Sequence, residues 1–276
     1  MPSVLYPPAR PQAIGEVLDS AFRIFKATLI KCLPYSVLAT IAGQLQSIYV
    51  IVSGRALRPF GNSDPGYWTV YVLGAIIGTV LINAILLRQA ALVSGTPSTW
   101  QTALTGALKN APAILLMLCL IILLTGIWLV PLLVIPFEYR SWSALLLALP
   151  AVYLLVSFIC SWPARLLGGK GPVESLRYSV HLVRGNWWRT AVIYLVVLTM
   201  ILVLSITAAL IVGILTQIVA ARDLAVATAV SRVMVVGFSA VYTPLVTSMA
   251  LAVYGELQAR KESADLERQV ADAPAG

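Results

Sequence analysis

The chain has 276 residues, of which 59% are hydrophobic and 11% charged, and its formal net charge is +8. A soluble domain carries roughly 25% charged residues, so the polar surface needed to face water is missing. The basic residues flank apolar runs and form no stripe with interleaved aromatics, which excludes nucleic acid as a partner.

In chain order, the first 27 residues contain Arg10, Glu16, Asp19, Arg23 and Lys26 but no uninterrupted apolar core with a small-residue cleavage site. No cleavable signal peptide is expected there. Pro11 opens an amphipathic segment with Ile14, Val17, Leu18, Ala21 and Phe22 on one face and Arg23 at its end. Apolar segments follow at residues 28–53, 67–92, 111–137, 142–166, 190–220 and 225–254, each of 25 residues or more. That length crosses about 30 Å of hydrocarbon, and lipid offers a backbone no hydrogen bonds, so each segment must be a helix. Tyr67, Trp68, Tyr139, Trp142, Trp187, Trp188 and Tyr254 stand near their ends, where interfacial anchors belong.

Pro97 and Pro172 open two further amphipathic segments, and Lys109 and Arg184 follow them by the same 12 positions that separate Pro11 from Arg23. The second carries Trp100, Ala103, Leu104, Ala107 and Leu108 at the offsets of the first, whereas the third keeps Tyr178, Leu182 and Val183 but puts Ser175 and Ser179 on the stripe. Proline suits a first helical turn and a cation suits the last one. Too short to span, such helices are expected to lie in the membrane interface. The expected fold is therefore all-α: a polytopic membrane bundle of six transmembrane helices with three cytoplasmic interfacial helices. Residues 1–258 would form one membrane domain with repeat units at about 11–92, 97–166 and 172–256, followed by a polar tail at 259–276 that frays a little past Arg260.

The opening Arg10-Pro11-x-x-Ile14-Gly15-Glu16-x-Leu18-Asp19-x-x-Phe22-x-x-Phe25 resembles the start of a large bacterial family of integral membrane proteins. That family includes the membrane domain of membrane-anchored glycerophosphodiester phosphodiesterases and the YciC-like proteins. Glu174-Ser175-Leu176-x-x-Ser179-x-x-Leu182-Val183-Arg184-Gly185-Asn186-Trp187 is similar to its later interfacial helix. The resemblance implies a six-helix, lipid-facing domain. It does not imply phosphodiesterase activity, because the hydrolytic barrel of fused members is separate and needs His and acidic metal ligands.

Orientation follows from charge. Fourteen Lys and Arg residues fall on the side of the two termini, and Arg55, Arg58, Arg140, Arg222 and Arg232 make five on the other. The positive-inside rule places both termini in the cytoplasm, and the resemblance implies the inner membrane of a bacterium.

Catalytic chemistry finds little support. His181 is the only histidine and lies between Arg177 and Arg184; Cys32, Cys119 and Cys160 form no CxxC or Cys/His cluster. Neither a metal site nor a His-based triad follows, no cofactor is expected, and the chain is not expected to be an enzyme. No Asp or Glu falls within an expected span, which argues against proton-coupled transport. Arg232 is the single charge well inside a span, near enough to the outer end to snorkel. Gln44 and Asn83 are candidate intramembrane polar contacts, and Gly74 with Gly78 forms GxxxG, a close-packing signal within the chain or across a dimer.

The expected partners are membrane lipids, with a second copy or an envelope protein open as further ones. Candidate headgroup contacts are Arg23, Lys26, Lys109, Arg177, Arg184, Arg189 and Arg232. The leading functional expectation is a non-enzymatic membrane protein working through lipid or protein contacts. The alternative is a transporter or channel for a small or lipid-like substrate.

Overall fold

The structure is a computed structural model, and it describes residues 6–8, 10–53, 64–133, 135–220 and 224–272. Arg55, Arg58 and Arg222 lie outside the described residues, as does the Arg140 side chain. The described residues form helices joined by short turns, with no strand among them: α1 (Ile14–Ser53), α2 (Pro65–Val93), α3 (Trp100–Gly126), α4 (Arg140–Phe158), α5 (Ser161–Gly168), α6 (Pro172–Val183), α7 (Trp187–Ala220) and α8 (Leu224–Asp272). Six stretches are long and apolar enough to cross a membrane, running Ile14–Val50, Pro65–Val93, Trp100–Leu132, Trp142–Gly168, Trp187–Ile218 and Val230–Ser263.

The amphipathic segments take two forms. The first two are the opening turns of α1 and α3 and continue without a break into the long apolar helix. Only the third is a helix of its own, because Gly185 adopts a positive φ of 89° and turns the chain before α7. Their N-termini share one device. The N–H of Ala13 donates to Glu16 at 2.8 Å, that of Thr99 to Thr102 at 3.0 Å and that of Gly171 to Glu174 at 3.3 Å. Each is the backward half of a capping box, three residues apart. Pro11 and Pro97 precede their helices, whereas Pro172 is itself the first helical residue. The third segment thus starts in a register three residues different from the one that aligning the prolines gives.

Packing divides the chain into two compact units. One comprises Met1–Ser20, Pro112–Leu195 and Ala250–Gly276; the other comprises Ala21–Ala111 and Val196–Met249.

In the first unit α6 packs on α4 and α5, around Met117, Phe158 and Leu176. The expected span at 142–166 is two helices, not one. Pro163 has no N–H to give the Ile159 carbonyl, and its ring crowds that carbonyl, so the helix stops and restarts at Cys160. Ile159 N–H closes a tighter bond to Val156 O at 3.4 Å, which leaves Cys160 N–H without its usual acceptor. Ser179 of α6 fills the gap: its hydroxyl donates to Ser157 O at 2.7 Å and accepts from Cys160 N–H at 3.1 Å. The serines that interrupted the apolar stripe are both fully buried, and this is the reason one of them is there. Ser179→Ala should lower stability by about 1–3 kcal/mol, the cost of two buried groups left unmet, while Ser175→Ala should cost less because its one bond, to Lys170 O, is long at 3.4 Å. Denaturant titration in micelles reads the difference.

In the second unit α1 and α2 pack tightly around Cys32, Tyr35, Ala39, Val80, Leu81, Ala84 and Ile85. Gly74 is where the backbones come closest, since a β-carbon placed there would sit 2.5 Å from Ala42 O. The GxxxG motif is therefore occupied within the chain. Pro244 cannot donate to the Ala240 carbonyl four residues earlier, and Ser36 of α1 donates to that carbonyl instead, at 2.5 Å.

Candidate functional site

Two buried polar centres stand out, one in each unit. In the first unit Glu256 of α8 is completely buried. Its Oε1 accepts from Arg189 at 3.1 Å and from Arg260 at 2.7 Å, and the Arg260 Nε contact is 2.9 Å. Both guanidinium groups also donate to Gln12 O, Arg260 from 3.4 Å, so the N-terminal arm is bonded to the same cluster. Upstream on that arm, Tyr6 and Pro8 press on α8 at Gly255, where a β-carbon would lie 2.6 Å from the Tyr6 ring. Burial pushes the Tyr6 phenol well above its ordinary pKa, so it stays neutral there. One carboxylate shared by two guanidinium groups leaves a net positive cluster that suits holding elements together.

One expectation is corrected at the C-terminal end: α8 continues to Asp272 in place of fraying near Arg260, and it carries Glu256 two residues beyond the expected end of the apolar segment at Tyr254. A carboxylate is accommodated in this buried setting because two cations neutralise it.

In the second unit Gln89 of α2 is fully buried and donates to Thr28 at 3.2 Å and to Pro244 O at 2.9 Å. One residue earlier, the Arg88 guanidinium lies 5.8 Å over the Tyr35 ring, and the Tyr35 hydroxyl donates to Trp100 O at 2.6 Å. Arg232 reaches Gln44, its Nη1 donating to Oε1 at 3.2 Å, so a candidate headgroup contact and a candidate intramembrane amide meet each other. Asn83 is buried at 1% exposure. A cleft of about 730 Å³ opens between α7 and α8, lined by aliphatic side chains together with Ser205, Ser231, Ser239 and Tyr242; neither Gln44 nor Asn83 lines it.

Of the other candidates, Arg23, Lys26, Lys109, Arg177 and Arg184 are exposed. Arg189 is not among them, being engaged by Glu256. His181 is exposed on α6, Cys32 and Cys160 are buried free thiols, and Cys119 is an exposed one. Among the described residues no three His, Cys, Asp or Glu side chains converge as metal ligands would.

Sequence reasoning missed Glu256, Gln89 and Ser36. A signal existed for each: Glu256 stands four residues before Arg260, the spacing of a helical ion pair, and Gln89 and Ser36 are polar interruptions of apolar helices.

A family model described as a domain of unknown function (DUF7847) matches residues 141–257. That stretch runs from α4 into α8 and contains Arg189 and Glu256, while Gln12 and Arg260 lie beyond it. No curated protein and no solved structure matches the chain.

Proposed function

We propose that the chain is a multi-pass protein of the bacterial inner membrane, with both termini cytoplasmic, that works through lipid or protein contacts without catalysing a reaction. The observation that carries this reading is the surface of α7. Only 11% of its most apolar window is buried within the fold, and Leu198, Leu202, Leu210, Ile214 and Ile218 are each more than half exposed. A water-soluble surface rarely shows an apolar patch beyond a few hundred Å², so lipid is the solvent that fits. The opening turns of α1 and α3 and the separate α6 would then form an inner-leaflet collar, with α6 lying in the interface. On this reading the chain stands beside the membrane domains and YciC-like proteins that its opening resembles.

Exposed Lys26, Lys109, Arg177 and Arg184 on that collar would meet anionic headgroups, each contributing about 1 kcal/mol near the surface. Changing these four to Gln in the reconstituted chain should remove most of its preference for anionic over zwitterionic lipid, read by quenching of tryptophan fluorescence with brominated lipids. High salt should weaken the native preference in the same direction. An unchanged preference in the variant would remove the lipid role.

A second reading, transport of a lipid-like substrate, is favoured by the α7–α8 cleft, which is apolar with a few hydroxyls and large enough for a small amphiphile.

A further inference from the structure

Arg88 lacks what Arg189 and Arg260 have. Those two share a buried carboxylate, and all three contacts are 3.1 Å or shorter. The Nε and Nη1 atoms of Arg88 are buried with no hydrogen-bond partner. Among the described residues of the same unit Asp64 is the one carboxylate, and it caps the opposite end of α2. Twenty-four residues of helix separate the two, about 36 Å at 1.5 Å per residue.

An arginine side chain is a fork of N–H donors with no acceptor of its own. A lysine or histidine would neutralise itself; a guanidinium must find an anion or water. Tyr35 supplies the face of its ring, and that ring is itself fixed by the hydroxyl bond to Trp100 O. The side chain is thereby held in place while its Nε and Nη1 donors go unused. Exposed Lys31 and Lys109 belong to the same unit and are separated from Arg88 by no acidic residue of that unit's described α1, α2 or α3 segments. A flat fork of N–H donors matches a phosphate better than any other common anion of a membrane surface.

We infer that the Arg88 guanidinium, clamped by Tyr35, is a binding site for one phosphate group, presented by a phospholipid headgroup or as the free ion. The inference rests on the membrane reading above and adds to it a single defined site, distinct from the exposed collar cations.

The test is native mass spectrometry of the full chain released from detergent, with phosphatidylglycerol, phosphatidylcholine and inorganic phosphate as separate probes. The native chain should retain one phosphatidylglycerol. Arg88→Gln should weaken that retention by about tenfold or more, the loss of a charged hydrogen-bonded contact. Arg88→Lys, which keeps the charge but not the fork, should fall between them. Equal retention of phosphatidylcholine would show that the phosphate diester is what is read. Displacement of the lipid by inorganic phosphate at comparable concentration would assign the site to the free ion. Retention by Arg88→Gln equal to that of the native chain would overturn the inference. So would a native chain that holds neither lipid nor phosphate, a result independent of how the variants fold. In either case an intact collar preference for anionic lipid leaves the membrane reading standing. A chain monodisperse in water without detergent would bring down the membrane reading itself.

Discussion

Replacing Glu256 with alanine should cost the protein about 3–5 kcal/mol, the usual penalty for removing one partner from a buried ion cluster. The side chain is fully buried between Arg189 and Arg260, which are themselves only 24% and 30% exposed. Without the carboxylate two guanidinium groups are left facing each other, and their shared bond to Gln12 O brings the N-terminal arm into the same repulsion. Glu256→Gln should be milder, because the amide oxygen still accepts one hydrogen bond while the charge is lost. The diagnostic result is a rescue. Combining Glu256→Leu with Arg189→Met and Arg260→Met should recover most of the stability, since a well-packed apolar triad often equals or exceeds a buried ionic one. Unfolding in mixed micelles, followed by tryptophan fluorescence, measures all three. If Glu256→Ala unfolds at the native midpoint, the cluster is not a structural tie.

The second large effect is at Gly74. A β-carbon there meets the Ala42 backbone carbonyl at 2.5 Å, and a carbonyl on a helix cannot rotate away as a side-chain tip could. Gly74→Ala should therefore force α1 and α2 apart and cost about 1–3 kcal/mol, as overpacking does. Gly78, one turn later in the same motif, should behave in the opposite way. Its β-carbon would lie 3.9 Å from Ala39 O, an ordinary contact, and alanine gains on glycine by about 0.8–1 kcal/mol in a helix interior. Gly78→Ala should be neutral or stabilising. The pair separates packing within the chain from dimer formation. A dimer interface would lose association at both positions, whereas the observed geometry loses stability at one.

The helices were legible in the sequence because their cause is local. Long runs of apolar residues declare themselves, and all six candidate crossings stand where hydrophobicity placed them. The ends were less legible, because the end of a helix depends on groups far away in sequence. The α4–α5 break needs Pro163, which is visible, and also Ser179, whose role appears only once α6 is packed on it. The burial of Glu256 just past Tyr254 needs the cation of Arg189, 67 residues earlier. The same reason hid the buried centres. Arg189 read as one more basic residue beside an apolar segment, and only its partner shows that it faces inward. The exposed candidates Lys26, Lys109, Arg177 and Arg184 were easier, since a cation with no apolar neighbour to bury against stays at the surface.

The proposed topology can be measured directly by attaching reporters to the intact chain in bacterial cells. Alkaline phosphatase, active only outside the cytoplasm, and a fluorescent protein, active only inside, would each be fused after Gly171, after Asp272 and within the segment 54–63. The account predicts fluorescence at the first two sites and phosphatase activity at the third. Phosphatase activity after Asp272, or fluorescence from within 54–63, would contradict it.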